Sequence, residues 1–148
     1  YKAQGRDIRY LSIGDDTTTT VLFIHGAPSS LSYFKEYLSD SVLLRRAKLL
    51  AVDRPGYGYS GFGKPLTSIA RQARAIRPLL DSLNRKSRRV VLVGTSYGTS
   101  VACRLAMDYP HLVDGIVLVA PALAPGEERI YGISYPMESP LLKWMVPR

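Results

Sequence analysis

Four short apolar runs punctuate the chain. Val21–Ile24 stops at His25-Gly26, Leu49–Val52 at Asp53, Val90–Val93 at Gly94, and Ile116–Ala120 at Pro121. Each is rich in Val, Ile and Leu and nearly continuous, the texture of strands buried on both faces of a parallel sheet. Helical spacing fills the intervals. Ser30–Leu38 and Val42–Ala47 read as short helices. Ser68–Leu83 places Ile69, Ala73, Ile76, Leu79, Leu80 and Leu83 on one side and leaves Arg71, Gln72 and Arg74 for water. Pro78 inside that pattern predicts a kink or a break. Tyr97–Tyr109 reads as a helix whose small residues Gly98, Thr99, Ser100 and Ala102 permit close packing. Repeated strand–helix–strand units predict an α/β fold, a three-layer sandwich around a mostly parallel sheet.

The ends have a different texture. Arg6–Ile13 alternates and reads as an early hairpin strand, and Asp15–Thr20 as a polar turn. Beyond Ala120 the chain is rich in proline and poor in periodicity, although Pro140–Val146 could begin a short amphipathic helix. The predicted division is a core over 1–121 and the start of a cap or lid excursion over 122–148.

Composition narrows this picture only slightly. Of 148 residues, 46% are hydrophobic and 22% charged, which excludes disorder across the whole chain. No apolar run is long enough for a transmembrane helix, and a soluble chain is expected. Cys103 is the one cysteine, so no intrachain disulfide can form; it is expected in the core. The chain opens on Tyr1, so its native start is expected upstream, and no cellular address is legible. The net charge is +8. Arg71, Arg74 and Arg77 on one helix side, and Arg85, Lys86, Arg88 and Arg89 before the third apolar run, read as a solvated face and turn. Without aromatic interleaving they give no nucleic-acid signature.

Three motifs carry chemistry, each at the end of an apolar run. Gly94-Thr95-Ser96-Tyr97-Gly98 is a G-x-S-x-G between a strand and a helix. So sharp a turn forces the central serine into a strained conformation and presents its hydroxyl at the sheet edge, above a helix N-terminus. His25-Gly26-Ala27-Pro28 offers backbone donors for a developing oxyanion. Pro28 has no N–H, so the candidate donors are the amides of Ala27 and Tyr97, with Gly26 allowing the tight turn. His25 is read as support for that loop rather than as a catalytic base. Asp53-Arg54-Pro55-Gly56-Tyr57-Gly58-Tyr59-Ser60 is a sharp loop, and Asp53 and Arg54 are expected to lock it by hydrogen bonds and an ion pair.

Taken together and in this order, the motifs resemble the α/β-hydrolase superfamily. H-G-x-P would close its third strand, D-R-P-G-x-G-x-S its fourth and G-x-S-x-G its fifth, with Val113–Pro121 similar to the sixth. The resemblance covers residues 6 to 121. It implies Ser96 as nucleophile, Ala27 and Tyr97 as oxyanion-hole amides, a small acyl substrate and no metal or organic cofactor. It leaves esterase, lipase, peptidase and lactonase chemistry open. H-G-x-P also resembles epoxide hydrolases and dehalogenases, but those use an aspartate where Ser96 stands, which disfavours their chemistry.

The family's order of serine, acid and histidine is not completed here. His25 precedes Ser96, and His111 is expected at the sheet end opposite the nucleophile. Glu127 and Glu128 lie in the cap-like segment and are poor candidates for the acid. Gly115–Ala120, read as buried on both faces, would be an edge strand in the family's sheet order, a position that invites aggregation. The expectation is therefore the N-terminal part of a hydrolase about twice as long. Its base and acid would lie outside this segment, in a downstream stretch or a second chain, and the segment alone would be inactive. The rivals are a binding module that keeps the elbow without a base, and an interaction fragment that pairs with another chain.

Overall fold

A computed structural model describes residues 1–15, 18–84 and 89–123. It is built on a five-stranded sheet of β3 (Tyr10–Ile13), β4 (Thr19–Ile24), β5 (Lys48–Val52), β6 (Arg89–Thr95) and β7 (Gly115–Val119). The spatial order is β3-β5-β4-β6-β7, with β3 antiparallel and the other four parallel. A separate ribbon pairs β1 (Lys2–Ala3) with β2 (Arg6–Asp7). The stretch Arg6–Ile13 is thus split, its first half in this ribbon and its second half in the main sheet beside β5.

Alternate strand residues build two cores. Leu22, Ile24, Leu50, Val52, Val90 and Leu92 face α3 (Ile69–Asn84) and α4 (Tyr97–Asp108). Phe23, Leu49 and Ala51 face the opposite layer, where Leu31 and Phe34 of a 3-10 turn and Leu38 of α1 (Lys35–Leu38) pack. A single turn of helix, α2 (Ser41–Leu44), follows, its first amides capped by the Asp40 carboxylate at 2.8 Å. The near-continuous apolar runs are explained by this arrangement, since both sides of the central strands meet packed side chains.

Two expectations change. The helix α3 runs unbroken through Pro78. Proline removes one amide donor, but Ala73, Ala75, Ile76, Leu79, Leu80 and Leu83 are all buried along this helix, and that burial outweighs the lost bond. By contrast, Ile116 to Val119 of β7 are 38% to 47% exposed rather than buried. Among the described residues the strand is an edge, and α4 is the helix that packs on it. Cys103 is half-buried rather than in the core. The expected cap over 122–148 lies outside the described residues past Leu123, with Glu127, Glu128 and the helix at Pro140–Val146, as do Arg85, Lys86 and Arg88.

The register aligns the motifs. Ile24 sits opposite Val52 on one side and Gly94 on the other, and Gly94 is opposite Leu118. His25, Asp53 and Ser96 therefore leave the sheet at the same edge. From β4 the chain steps to β5 on one side, then crosses back through α3 to β6 on the other. The gap between β4 and β6 is the topological switch point, where open α/β sheets place their ligands.

Gly98 lets α4 sit over the end of β4, because a Cβ there would overlap the carbonyl oxygens of Ile24 and His25. An alanine in a helix ordinarily stabilises by about 1 kcal/mol relative to glycine. Here Gly98→Ala should destabilise by about 3 kcal/mol, since backbone rather than a flexible side chain obstructs it. Gly61→Ala meets nothing within 4 Å but must hold a φ of +78°, and should cost about 1 kcal/mol. Denaturant unfolding of both variants checks the order, and a Gly98→Ala protein as stable as the parent would refute the close approach.

Candidate active site

At the end of β6 the chain turns directly into α4, and Ser96 is the hinge. Its φ of 48° and ψ of −126° lie in a region that residues with a Cβ avoid. Neighbours hold it there. The Ser96 amide donates to the Val119 carbonyl at 3.0 Å, and its own carbonyl accepts from the Thr99 amide at 2.9 Å and the Thr99 hydroxyl at 2.6 Å. The Thr99 hydroxyl in turn accepts from the Ala122 amide at 3.1 Å, tying the segment after β7 to the first turn of α4. Ser96 is exposed, at the N-terminus of a 12-residue helix.

Opposite it runs the turn after β4. A Cβ on Gly26 would stand 2.9 Å from the Ser96 Cβ and 3.5 Å from its Oγ, so glycine is what permits this approach. The next residue, Ala27, is exposed, and its amide is not taken up by a hydrogen bond among the described residues. His25, Gly26, Ala27, Ser96 and Tyr97 are therefore brought together at one edge. His111 is elsewhere. It lies exposed in the 3-10 turn Pro110–Leu112 that precedes β7, at the opposite end of the sheet from Ser96.

His25 is fully buried and both ring nitrogens are engaged. The Arg54 amide donates to Nε2 at 3.0 Å. An amide can only donate, so Nε2 is the acceptor and the ring proton sits on Nδ1, which donates to the Gly26 carbonyl at 2.7 Å. Burial lowers the imidazole pKa to about 4, with the Arg54 charge acting in the same direction and the Gly26 bond opposing. The ring is neutral at neutral pH and is a structural crosslink between β4 and β5.

Asp53 and Arg54 are both fully buried but turn to different partners. No ion pair joins them. Asp53 accepts from the amides of Leu31 at 2.7 Å and Tyr59 at 2.9 Å, and lies 3.7 Å from Arg9. Arg54 donates to the carbonyls of His25 at 2.7 Å and Gly26 at 2.8 Å, and to Gln72 Oε1 at 2.7 Å. Its guanidinium carbon also lies 4.4 Å from the Tyr57 ring centroid and 4.8 Å from that of Tyr97. Burial lowers the Arg54 pKa, and Tyr57 and Tyr97 oppose that. Gln72, expected in water, is 2% exposed and also donates to the Leu66 carbonyl at 2.6 Å. No local pattern marks Gln72, since a third acceptor is required only once Arg54 is buried.

Residues 19–142 match the alpha/beta hydrolase fold family, and the chain belongs to it. Among its relatives, monoacylglycerol lipase abhd6-B of Xenopus laevis is 29% identical over 96% of this chain and 42% of its own length. Among solved structures, a thermophilic esterase from Thermogutta terrifontis has a TM-score of 0.71 at 22% identity, over 85% of this chain and 45% of that one. The haloalkane dehalogenase DatA from Agrobacterium tumefaciens C58 has a TM-score of 0.69 at 28% identity, over 82% and 40%. The chain spans less than half the length of the curated relatives it matches. Among the described residues no helix is long and apolar enough to cross a membrane.

The buried imidazole makes stability depend on pH. Unfolded, His25 titrates near 6.5, and folded near 4. As pH falls, the unfolded chain takes up this proton first. The contribution of His25 is therefore full above pH 6.5, declines between 6.5 and about 4, and is lost below, a change on the order of 3 kcal/mol. Chemical denaturation across this window should show a steeper loss for the parent than for His25→Gln. Parallel profiles would refute the buried neutral ring.

Proposed function

We propose that this chain is the nucleophile-bearing part of a serine hydrolase that cleaves an ester, thioester or amide bond. The observation that carries this reading is the placement of Ser96, exposed, held at positive φ at the start of α4 and set against Gly26. A serine in that position has its hydroxyl free for attack and two backbone amides beside it, those of Ala27 and Tyr97. Division of the chain into a core over 1–121 and the start of a cap over 122–148 belongs to the same proposal.

Ser96 Oγ attacks the acyl carbonyl carbon, and the carbonyl oxygen gathers negative charge. The Ala27 and Tyr97 amides receive that charge, aided by the positive end of the α4 dipole. Proton transfer from Ser96 needs a histidine, and an acid to steady it, from outside this segment. His25 cannot serve, since its two ring nitrogens are occupied by Arg54 and Gly26. Collapse of the tetrahedral adduct breaks the bond to the alcohol, thiol or amine, which leaves with the proton taken from Ser96; water then attacks the acyl-enzyme, the acid departs and the Ser96 hydroxyl is restored. Only protein groups and water enter these steps.

A small acyl ester is the favoured substrate. A cavity of about 720 Å³ opens beside the Ala27 turn, lined by Pro28, Tyr33, Tyr57 and Phe62 among others. Its aromatic walls suit an apolar acyl or alcohol group. The lipase relative points the same way, as its name specifies a monoacylglycerol.

In the full protein a fluorophosphonate probe should label Ser96. Ser96→Ala should abolish the label and lower hydrolysis of a short-chain p-nitrophenyl ester by about 10⁴-fold or more. A full protein that never labels would make the chain a binding module and sink the enzyme reading.

A further inference from the structure

One set of contacts around the candidate site is more elaborate than loop closure requires. The Gly26 carbonyl oxygen receives two donors, Arg54 Nη2 at 2.8 Å and His25 Nδ1 at 2.7 Å. These donors are themselves linked, because the Arg54 amide donates to His25 Nε2 and Arg54 Nε donates to the His25 carbonyl. All of these groups are buried. Gln72 anchors the remaining arm of the guanidinium.

The acceptor belongs to the peptide unit that joins Gly26 to Ala27. That peptide is trans; the cis bond in this turn is the next one, Ala27–Pro28. In a trans unit the N–H points away from the C=O. With the oxygen pinned inward by two buried donors, the Ala27 N–H is directed outward, beside Gly26 where the chain approaches Ser96. Donation to a carbonyl oxygen also draws electron density from the nitrogen, so its N–H becomes a better donor, and a charged donor does this most strongly. The same guanidinium lies under the Tyr97 ring, on the residue that supplies the other amide.

We propose that Arg54 and His25 act together as positioning residues for the oxyanion site, fixing and polarising the Gly26–Ala27 peptide so that the Ala27 amide meets the developing charge. This rests on the serine-hydrolase reading above and adds to it the groups that orient the donor. Neither residue touches substrate. Lysine cannot replace Arg54, because a single ammonium cannot span the two carbonyls and Gln72 in the fixed fork of a guanidinium.

The test is the rate of phosphonylation of Ser96 in the full protein by a fluorophosphonate, with ester kinetics measured alongside. Arg54→Lys should reach the same final stoichiometry of labelling as the parent, at a rate lower by about ten- to hundredfold, with kcat reduced and KM little changed. Val90→Ala is the control for stability. Val90 is buried at the far end of β6, and its truncation should lower the melting temperature without slowing the label. Unchanged labelling in Arg54→Lys overturns the proposal. So does slowing that merely follows the loss of melting temperature across both variants. Should Arg54→Lys fail to fold, His25→Phe keeps a ring but removes the other donor and must slow the same reaction by at least several-fold; an unchanged rate there is equally fatal. A parent that never labels defeats the serine reading itself, whereas a parent that labels alongside a variant of equal rate defeats only the positioning.

Discussion

The buried guanidinium of Arg54 is the interaction on which the candidate site depends. Taking a positive charge out of water costs several kcal/mol unless its donors are all met. Here each of its three nitrogens has an acceptor, in the His25 carbonyl, the Gly26 carbonyl and Gln72 Oε1, and the rings of Tyr57 and Tyr97 lie close to its carbon. Those partners come from the end of β4, from α3, from the loop after β5 and from the start of α4. One side chain therefore sets the relative positions of four segments that are far apart in sequence. Loss of any one partner leaves a buried donor unsatisfied, which makes the arrangement cooperative.

The sheet turns that local constraint into a site. Parallel pairing of β5, β4, β6 and β7 brings successive strand ends to one edge, and the reversal of direction between β4 and β6 opens a gap there. Ser96 and Gly26 face each other across this gap. Steric permission is as important as attraction, for the contact exists only where glycines replace side chains, at Gly26 against Ser96 and at Gly98 against the end of β4. Strain at Ser96 is held by bonds from Val119 and Thr99, so the edge strand β7 shares in supporting the elbow.

Much of this was legible in the chain itself. Continuous Val, Ile and Leu runs marked the four parallel strands; burial on both faces demands them in the central strands, whereas β7 carries the same run half exposed. Glycine spacing around Ser96 marked the elbow because a strand-to-helix turn excludes larger neighbours. The structure departs from local pattern where a residue's fate depends on distant partners. Gln72 carries a polar side chain on an amphipathic helix, a pattern that predicts exposure, but it is buried because Arg54 needs an acceptor. Pro78 suggested a break, yet the helix continues because its apolar face is packed. The ion pair expected at Asp53 and Arg54 is made by Asp53 with Arg9, while Arg54 turns to carbonyls and Gln72.

The sequence by itself determined the class of fold, the strand ends that bear chemistry and the identity of Ser96 as the candidate nucleophile. These follow from hydrophobic periodicity and local steric rules, which act over a few residues and so can be read along the chain. Only the tertiary structure decided which groups share a hydrogen bond. His25 became a neutral crosslink, and Arg54 became the clamp on the Gly26 carbonyl, because pairing of β4 with β5 sets their ends side by side. Tautomer, burial and donor direction depend on that long-range contact, and no local pattern encodes it.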